Sequence, residues 1–175
     1  MSQGARQQWG RRSLPRCLGY VGTMTTPPVL TGRSRGTTAR IAGLTGSSAF
    51  AAAALVHTAW GLGSAWPLRN RADLADAVVG SDTMPDARAC FAVAGLAAAA
   101  AALVAGAGGM GKAATVARFA LATGVAARGV AGGRPATKVL GLEEPSPRFI
   151  QLDNTVYRPL CLGTAAAVLT AAVAT

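Results

Sequence analysis

Five side chains could bind a ligand or transfer a proton, and all of them lie in or beside long apolar stretches of sequence: His57, Trp60, Arg128, Asp153 and Tyr157. An imidazole, a guanidinium, a carboxylate and a phenol supply donors, acceptors and both signs of charge. Such groups are costly in apolar surroundings, so they are candidates for a binding or proton-transfer site. They can equally satisfy one another and hold helices together. The sequence leaves both interpretations open.

The apolar stretches around these side chains predict an all-α membrane protein. Only 14% of the residues are charged, against about 25% in typical soluble domains. Residues 41–68 contain no acidic or basic side chain apart from His57. Because a helix rises about 1.5 Å per residue, about 20 residues cross the hydrocarbon core of a bilayer. The predicted fold is a bundle of four transmembrane helices, at about residues 43–65, 89–111, 113–132 and 156–175.

The third predicted span is the weakest of the four, because Arg118 and Arg128 interrupt it. A charge at the centre of a membrane helix is costly. Arg118, however, lies near the start of this span and Arg128 near its end, where long basic side chains can reach the interface. We therefore retain it as a span.

The N-terminal segment differs from the rest of the chain in charge. Residues 1–40 hold most of the net charge of +10 and no acidic residue. Gly, Ser, Thr and Pro are frequent there and no apolar periodicity is sustained, which predicts a disordered basic tail. The membrane domain is expected over residues 41–175. Met24 is a second candidate start, which leaves open whether residues 1–23 are translated.

The basic residues also predict the orientation of the chain in the cell membrane. With a cytoplasmic N-terminus, the seven arginines of the tail, Lys112 and Arg118 lie inside, whereas six basic residues and every acidic residue lie on the outer side. The positive-inside rule therefore favours cytoplasmic N- and C-termini. The expected partners are the lipid bilayer and either further copies of the chain or another membrane protein. No nucleic-acid partner is expected.

Four spans would bring the five polar side chains to one side of the membrane. The first span ends after His57 and Trp60, the third ends at Arg128, and the fourth begins near Asp153 and Tyr157. Asp153 and Tyr157 are four residues apart and therefore share a helix face. If the segment before the fourth span is helical, Asp153 can pair with Arg128 and the hydroxyl of Tyr157 can hydrogen-bond His57.

Other motifs give no support for catalysis. Residues 106–112 read GAGGMGK, which partly matches phosphate-binding loops. Ala113 stands where a magnesium-binding Ser or Thr should be, and an Ala-rich helix rather than a strand precedes the glycines. We therefore expect a flexible turn between two helices. With three widely spaced cysteines and one histidine, we predict no metal, haem or other cofactor and no enzymatic activity.

Two motifs around the candidate residues resemble those of a known family. The segment HTAWGLGSAWP at residues 57–67 resembles its H-x-x-W-G/A-L-G signature, and residues 149–161 resemble its F-x-x-x-D-x-x-x-Y-x-P-L-C pattern. Arg128-Gly129 resembles the Arg-x-x-Gly region at the end of the family's third span. These bacterial membrane proteins are catalogued as domain of unknown function 3995. The resemblance covers about residues 43–175 and implies a four-helix integral membrane protein.

The chain departs from the family pattern at Arg158, where a small residue is usual, and in the loop after Arg128, which lacks an aromatic-rich run. The leading functional prediction is a small multi-pass membrane protein with a structural or interaction role. The alternative is binding or transport of a small molecule or a proton at a polar cluster around His57 and Arg128. The alternative predicts a water-accessible cavity there, whereas a dry, fully paired cluster would contradict it.

Overall fold

Wherever the structure describes the chain, it is helical or forms the connections between helices. The computed structural model describes residues 31–109, 111–139 and 144–173. The helices are Thr31–Gly61 (α1), Arg71–Val78 (α2), Ala87–Ala105 (α3), Lys112–Ala131 (α4), Gly133–Val139 (α5), Pro147–Leu152 (α6) and Arg158–Val173 (α7), and a π-helical turn at Asp153–Tyr157 joins α6 to α7. No strand occurs in these ranges, so the predicted all-α class is confirmed.

The four long helices form an antiparallel bundle in which α1 packs against α3 and α7, and α4 packs against α7. Small residues on α1 allow this helix to pack closely against α3 and α7. A Cβ atom added at Gly46 would lie only 3.2 Å from a methyl group of Val168 in α7. The hydroxyl of Ser47 donates to the carbonyl oxygen of Ala101 in α3 at 3.1 Å. Small residues of this kind are typical of helix contacts in membranes.

Two apolar clusters fill the bundle. One joins α3, α4 and α7 through Val104, Ala122 and Val168. The other joins α1, α2 and α3 through Trp60, Leu74 and Cys90. Leu74 is almost completely buried, and it anchors the short helix α2 beside the end of α1. The second cluster therefore supports the end of the bundle where His57 lies.

The segments between α1 and α3 and between α4 and α7 contain short helices, two of which have clear start signals. The side chain of Asn70 accepts the N–H of Asp73 at 2.8 Å at the start of α2. The hydroxyl of Ser146 accepts the N–H of Phe149 at 3.1 Å at the start of α6. Such caps satisfy N–H groups that have no partner inside the helix. The loops also meet, because the N–H of Ser146 donates to the carbonyl oxygen of Gly80 at 2.9 Å.

Residues 106–109 of the glycine-rich segment form turns between α3 and α4, as the sequence predicted. Gly106 ends α3 with a left-handed conformation at φ 113°, and Gly108 and Gly109 also have positive φ. Glycine adopts such angles without steric cost. A helix rather than a strand precedes the segment. The segment therefore lacks the strand–loop–helix architecture of a phosphate-binding loop, although its sequence partly matches one.

Within the described residues, three helical segments are long and apolar enough to cross a membrane: Gly36–Gly61, Ala87–Ala105 and Pro147–Val173. They correspond to the first, second and fourth predicted spans, whereas α4, the third, does not reach the same hydropathy. α1 begins at Thr31, so the helix starts within the predicted basic tail rather than after it. The rest of the predicted tail, residues 1–30, lies outside the described residues.

We predict that Gly129→Ala destabilises the bundle, whereas Gly124→Ala in the same helix does not. A Cβ atom at Gly129 would lie 2.8 Å from Cγ of Leu162, but one at Gly124 would meet nothing within 4 Å. Overpacking costs about 1–3 kcal/mol, which exceeds the roughly 0.5–1 kcal/mol gained by replacing a helical glycine with alanine. Thermal unfolding in one detergent compares the variants. Equal melting temperatures would contradict the close contact between α4 and α7.

Candidate functional site

An ion pair between α4 and the π-helical turn lies at the centre of the candidate site. Nη2 of Arg128 is 2.6 Å from Oδ1 of Asp153, as the sequence analysis predicted for these two residues. Asp153 is only 5% exposed, and its Oδ2 accepts the N–H of Gly133 at 2.7 Å. Both carboxylate oxygens therefore have a donor, which offsets part of the cost of removing the charge from water.

Two glycines let the chain turn around this carboxylate after α4. Gly132 has φ +76°, and a Cβ atom there would lie 3.0 Å from Oδ2 of Asp153. A Cβ atom at Gly133 would clash with the ring of Phe149. Because glycine has no Cβ atom and tolerates positive φ, the backbone comes close enough for the N–H of Gly133 to reach Asp153.

The π-helical turn brings Arg158 to the end of α4. The N–H of Arg158 bonds to the carbonyl oxygen of Asp153, five residues earlier, and turns of this kind are frequent at functional sites. The guanidinium of Arg158 donates to the carbonyl oxygens of Gly129 at 2.9 Å and Val130 at 2.8 Å. Carbonyl groups in the last turn of a helix lack helical partners. Arg158, which departs from the family pattern, therefore caps α4, a role that the sequence did not reveal.

His57 and Trp60 lie together near the end of α1, as their spacing predicts. Their ring centroids are 4.9 Å apart and the rings are tilted by 57°. Nδ1 of His57 donates to the carbonyl oxygen of Ala53 at 2.8 Å, which leaves Nε2 as an acceptor when the ring is neutral. The indole N–H of Trp60 donates to the carbonyl oxygen of Trp66 at 2.7 Å. Trp60 therefore fixes the loop that follows α1.

The predicted hydrogen bond between Tyr157 and His57 is wrong. The hydroxyl of Tyr157 donates instead to the carbonyl oxygen of Ala77 at 3.0 Å. Ala77 lies in the last turn of α2, where carbonyl groups have no helical partner. This acceptor exists because the segment between α1 and α3 contains the short helix α2.

His57, Trp60, Arg128 and Tyr157 line one cavity of about 580 Å³, which we name the His57 cavity. Asp153 is not part of its wall but holds Arg128 through the ion pair. Most of the remaining wall is apolar or carries sulphur, and it includes Val78, Val79, Met84, Cys90, Val93 and Cys161. The structure thus brings four of the five predicted residues to one cavity and places the fifth in direct contact with one of them.

One nitrogen of Arg128 has no partner in the part of the chain that the structure describes. Its Nη1 is buried and makes no hydrogen bond there. Most buried polar atoms in native proteins do have a partner, so this donor is an exception on a residue that lines the cavity. The cluster is therefore not fully paired. Within the described ranges, no three His, Cys, Asp or Glu side chains converge on a point that could hold a metal ion.

The fold and these contacts define an all-helical protein with helices apolar enough to cross a membrane and a polar cluster at one end of its bundle. Residues 50–168 match the sequence model of the family described as Protein of unknown function (DUF3995). This match spans more than half of the chain, and the protein belongs to that family. Comparisons with curated proteins and with solved structures gave no match. The family description assigns no activity, so function has to be argued from the site.

We predict that Asp153→Asn destabilises the protein by about 1.5–3 kcal/mol, the usual contribution of a hydrogen bond to a charged group. The substitution preserves the size of the side chain but leaves Arg128 without a counter-ion. Asp76→Asn is the matched control, because the Asp76–Arg148 pair is 3.5 Å long and partly exposed, and exposed pairs contribute about 0–1 kcal/mol. Unfolding in detergent measures both. An effect at Asp153 no larger than at Asp76 would show that the buried pair does not hold the bundle.

Proposed function

We propose that the protein is a four-span membrane protein that binds a small, mainly apolar molecule with one polar group in the His57 cavity. The observation that carries this proposal is the convergence of His57, Trp60, Arg128 and Tyr157 on a cavity of about 580 Å³. Small-molecule pockets typically measure about 300–1,000 Å³ and combine apolar walls with a few polar groups. The His57 cavity has both properties.

Two groups are available to orient such a molecule. Nη1 of Arg128 is a donor without a partner among the described residues. His57 offers Nε2, because its Nδ1 is already bonded to the carbonyl oxygen of Ala53. The charge of Arg128 is balanced by Asp153, so the ligand need not be an anion. A neutral molecule with a hydroxyl, carbonyl or amide group has the complementary chemistry.

The proposal includes α4 as a membrane span, although two arginines lower its hydropathy. Arg118 is 5% exposed, and Arg128, whose side chain is 36% exposed, pairs with the buried carboxylate of Asp153. Apart from Lys112 at its first position and Arg128 near its end, the exposed large side chains of α4 are apolar, among them Val116 and Phe119. The helix has 20 residues and so spans about 30 Å, the thickness of the hydrocarbon core. The middle of α4 can therefore face lipid without exposing a charge.

Four spans would place both termini on one side of the membrane, and the positive-inside rule assigns that side to the cytoplasm. The acidic side chains in the described residues lie at the opposite end, in the segments between α1 and α3 and between α4 and α7. In this orientation the His57 cavity lies toward the outer face of the cell membrane. A ligand would reach it without entering the cytoplasm.

A structural role is the second candidate function, and the contacts around Asp153 favour it. Asp153 connects the π-helical turn to Arg128 of α4 and to Gly133, while Arg158 bonds to the last turn of α4. These contacts hold the helices together whether or not a ligand binds. The cavity distinguishes ligand binding from a structural role, because a purely structural protein does not require an open space beside the polar cluster.

We predict that the protein purified from its native membrane retains a small molecule, and that Val93→Phe displaces it. Val93 lines the His57 cavity and is 42% exposed, so a larger side chain there should narrow the cavity while Arg128 and Asp153 are unchanged. Leu96→Phe in the same helix is the control, because Leu96 is 73% exposed and lies outside the cavity wall. Mass spectrometry of extracted small molecules compares the three proteins. Absence of a retained molecule from all of them, or equal retention by Val93→Phe, would contradict binding and favour the structural role.

We also predict that a membrane-impermeant thiol reagent labels Cys161 from the outside of intact cells. Cys161 lines the cavity and is partly exposed, whereas Cys90 is 3% exposed. In a Cys17→Ser background, Cys161→Ser should remove most of the labelling and Cys90→Ser should change it little. Labelling that requires opened cells would assign the cavity to the cytoplasmic side and refute the proposed orientation.

A further inference from the structure

The end of the bundle opposite the His57 cavity contains a buried arginine with an unused donor. Arg118 of α4 is 5% exposed. Its Nε donates to the carbonyl oxygen of Leu103 and its Nη2 to that of Gly109, each at 3.0 Å. Its Nη1 is buried and has no partner among the described residues. Because arginine remains protonated in proteins, this site holds a full positive charge.

No acidic side chain in the described part of the chain lies near enough to balance that charge. The ion pairs found there are Arg128–Asp153 and Arg148–Asp76, and both lie at the other end of the bundle. The two carbonyl groups bonded to Arg118 supply partial charge but no counter-ion. A buried charge without a counter-ion is costly, so an anion from outside the chain would be bound favourably here.

Arg118 lines a second cavity, of about 530 Å³, between α1, α3, α4 and α7. Arg40 of α1 lines the same cavity and is exposed, so the cavity has two cationic groups. Much of the remaining wall is apolar, with Leu44, Val104 and Ala171 among its members. Leu44 lies one helical turn beyond Arg40 toward the middle of α1, about 6 Å along the axis. The cavity therefore combines a cationic end near the end of the bundle with an apolar wall that continues inward.

We propose that this second cavity binds an anionic phospholipid, with Arg118 and Arg40 on its phosphate and an acyl chain along the apolar wall. Guanidinium groups form strong, charge-assisted hydrogen bonds with phosphate oxygens, and basic pockets between membrane helices recognise anionic headgroups. A free phosphate ion would use the two arginines but not the apolar wall. The inference rests on the proposed membrane insertion, but it does not require a ligand in the His57 cavity.

The test is a titration of the full-length protein in a non-ionic detergent with dioctanoyl phosphatidylglycerol, dioctanoyl phosphatidylcholine or inorganic phosphate. Native mass spectrometry measures bound lipid and thermal unfolding measures stabilisation. We expect phosphatidylglycerol to bind more tightly than phosphatidylcholine and to raise the melting temperature. Inorganic phosphate that stabilises the protein as well as phosphatidylglycerol would refute a lipid site. Equal binding of the two lipids would show that the charge of Arg118 is balanced within the chain and would overturn the proposal.

Arg40→Gln is the most informative variant, because Arg40 is exposed and its replacement should not prevent folding. We expect its affinity for phosphatidylglycerol to fall about fivefold, the effect of one basic residue beside an anionic lipid. Arg88→Gln, an exposed arginine at the other end of the bundle, is the control and should keep full affinity. An equal loss of affinity for phosphatidylglycerol in the two variants would indicate that the lipid is attracted to any positive charge on the protein, and it would refute a specific site.

Two further variants separate this inference from the proposed function. Arg118→Gln should abolish the preference for phosphatidylglycerol, and if it does not fold, the comparison of Arg40→Gln with Arg88→Gln decides alone. Val93→Phe, which changes the wall of the His57 cavity, should bind phosphatidylglycerol like the wild type. A loss of lipid binding in Val93→Phe would show that the lipid occupies the His57 cavity and would overturn the assignment to the second cavity.

Discussion

The buried carboxylate of Asp153 imposes the strictest constraint on this structure. A charge that is 5% exposed must have a counter-ion and further hydrogen-bond donors. Without them, the free-energy cost of burying the charge would exceed the net stability of the fold. Arg128 must therefore lie within one turn of the end of α4, and the chain must turn at once so that the N–H of Gly133 can reach the second oxygen. The glycines at 132 and 133, and the close approach of Phe149, follow from this requirement.

The same constraint explains why α4 is less apolar than the other long helices. Arg128 serves the carboxylate and Arg118 binds carbonyl groups beside the end of α3. Both side chains bond to groups of neighbouring elements, and they reduce the hydropathy of the helix although Arg118 is buried and Arg128 is paired with a carboxylate. Mean hydropathy does not distinguish a buried or paired charge from one that faces lipid alone. The burial of Arg118 and the pairing of Arg128 are therefore the better guide to the environment of α4.

The sequence was sufficient for the features that depend on helix order and spacing. The Arg128–Asp153 pair was predictable, because antiparallel helices bring the end of one and the start of the next to the same depth. The hydrogen bond of Tyr157 was not, because its acceptor belongs to α2, and a short capped helix predicts its own start but not the surface on which it packs. Arg158 was missed for a related reason, since its acceptors are backbone carbonyl groups, which every residue type supplies.

The two unpartnered guanidinium nitrogens indicate where the bundle is incomplete by itself. Both are Nη1 atoms of arginines on α4, and each arginine lines a different cavity. They are ten positions apart, about 15 Å along a helix, so one lies toward each end of the bundle. Arg128 is already neutralised by Asp153, whereas Arg118 has no carboxylate partner in the described chain. Charge balance therefore favours a neutral, polar-tipped molecule beside Arg128 and an anion beside Arg118.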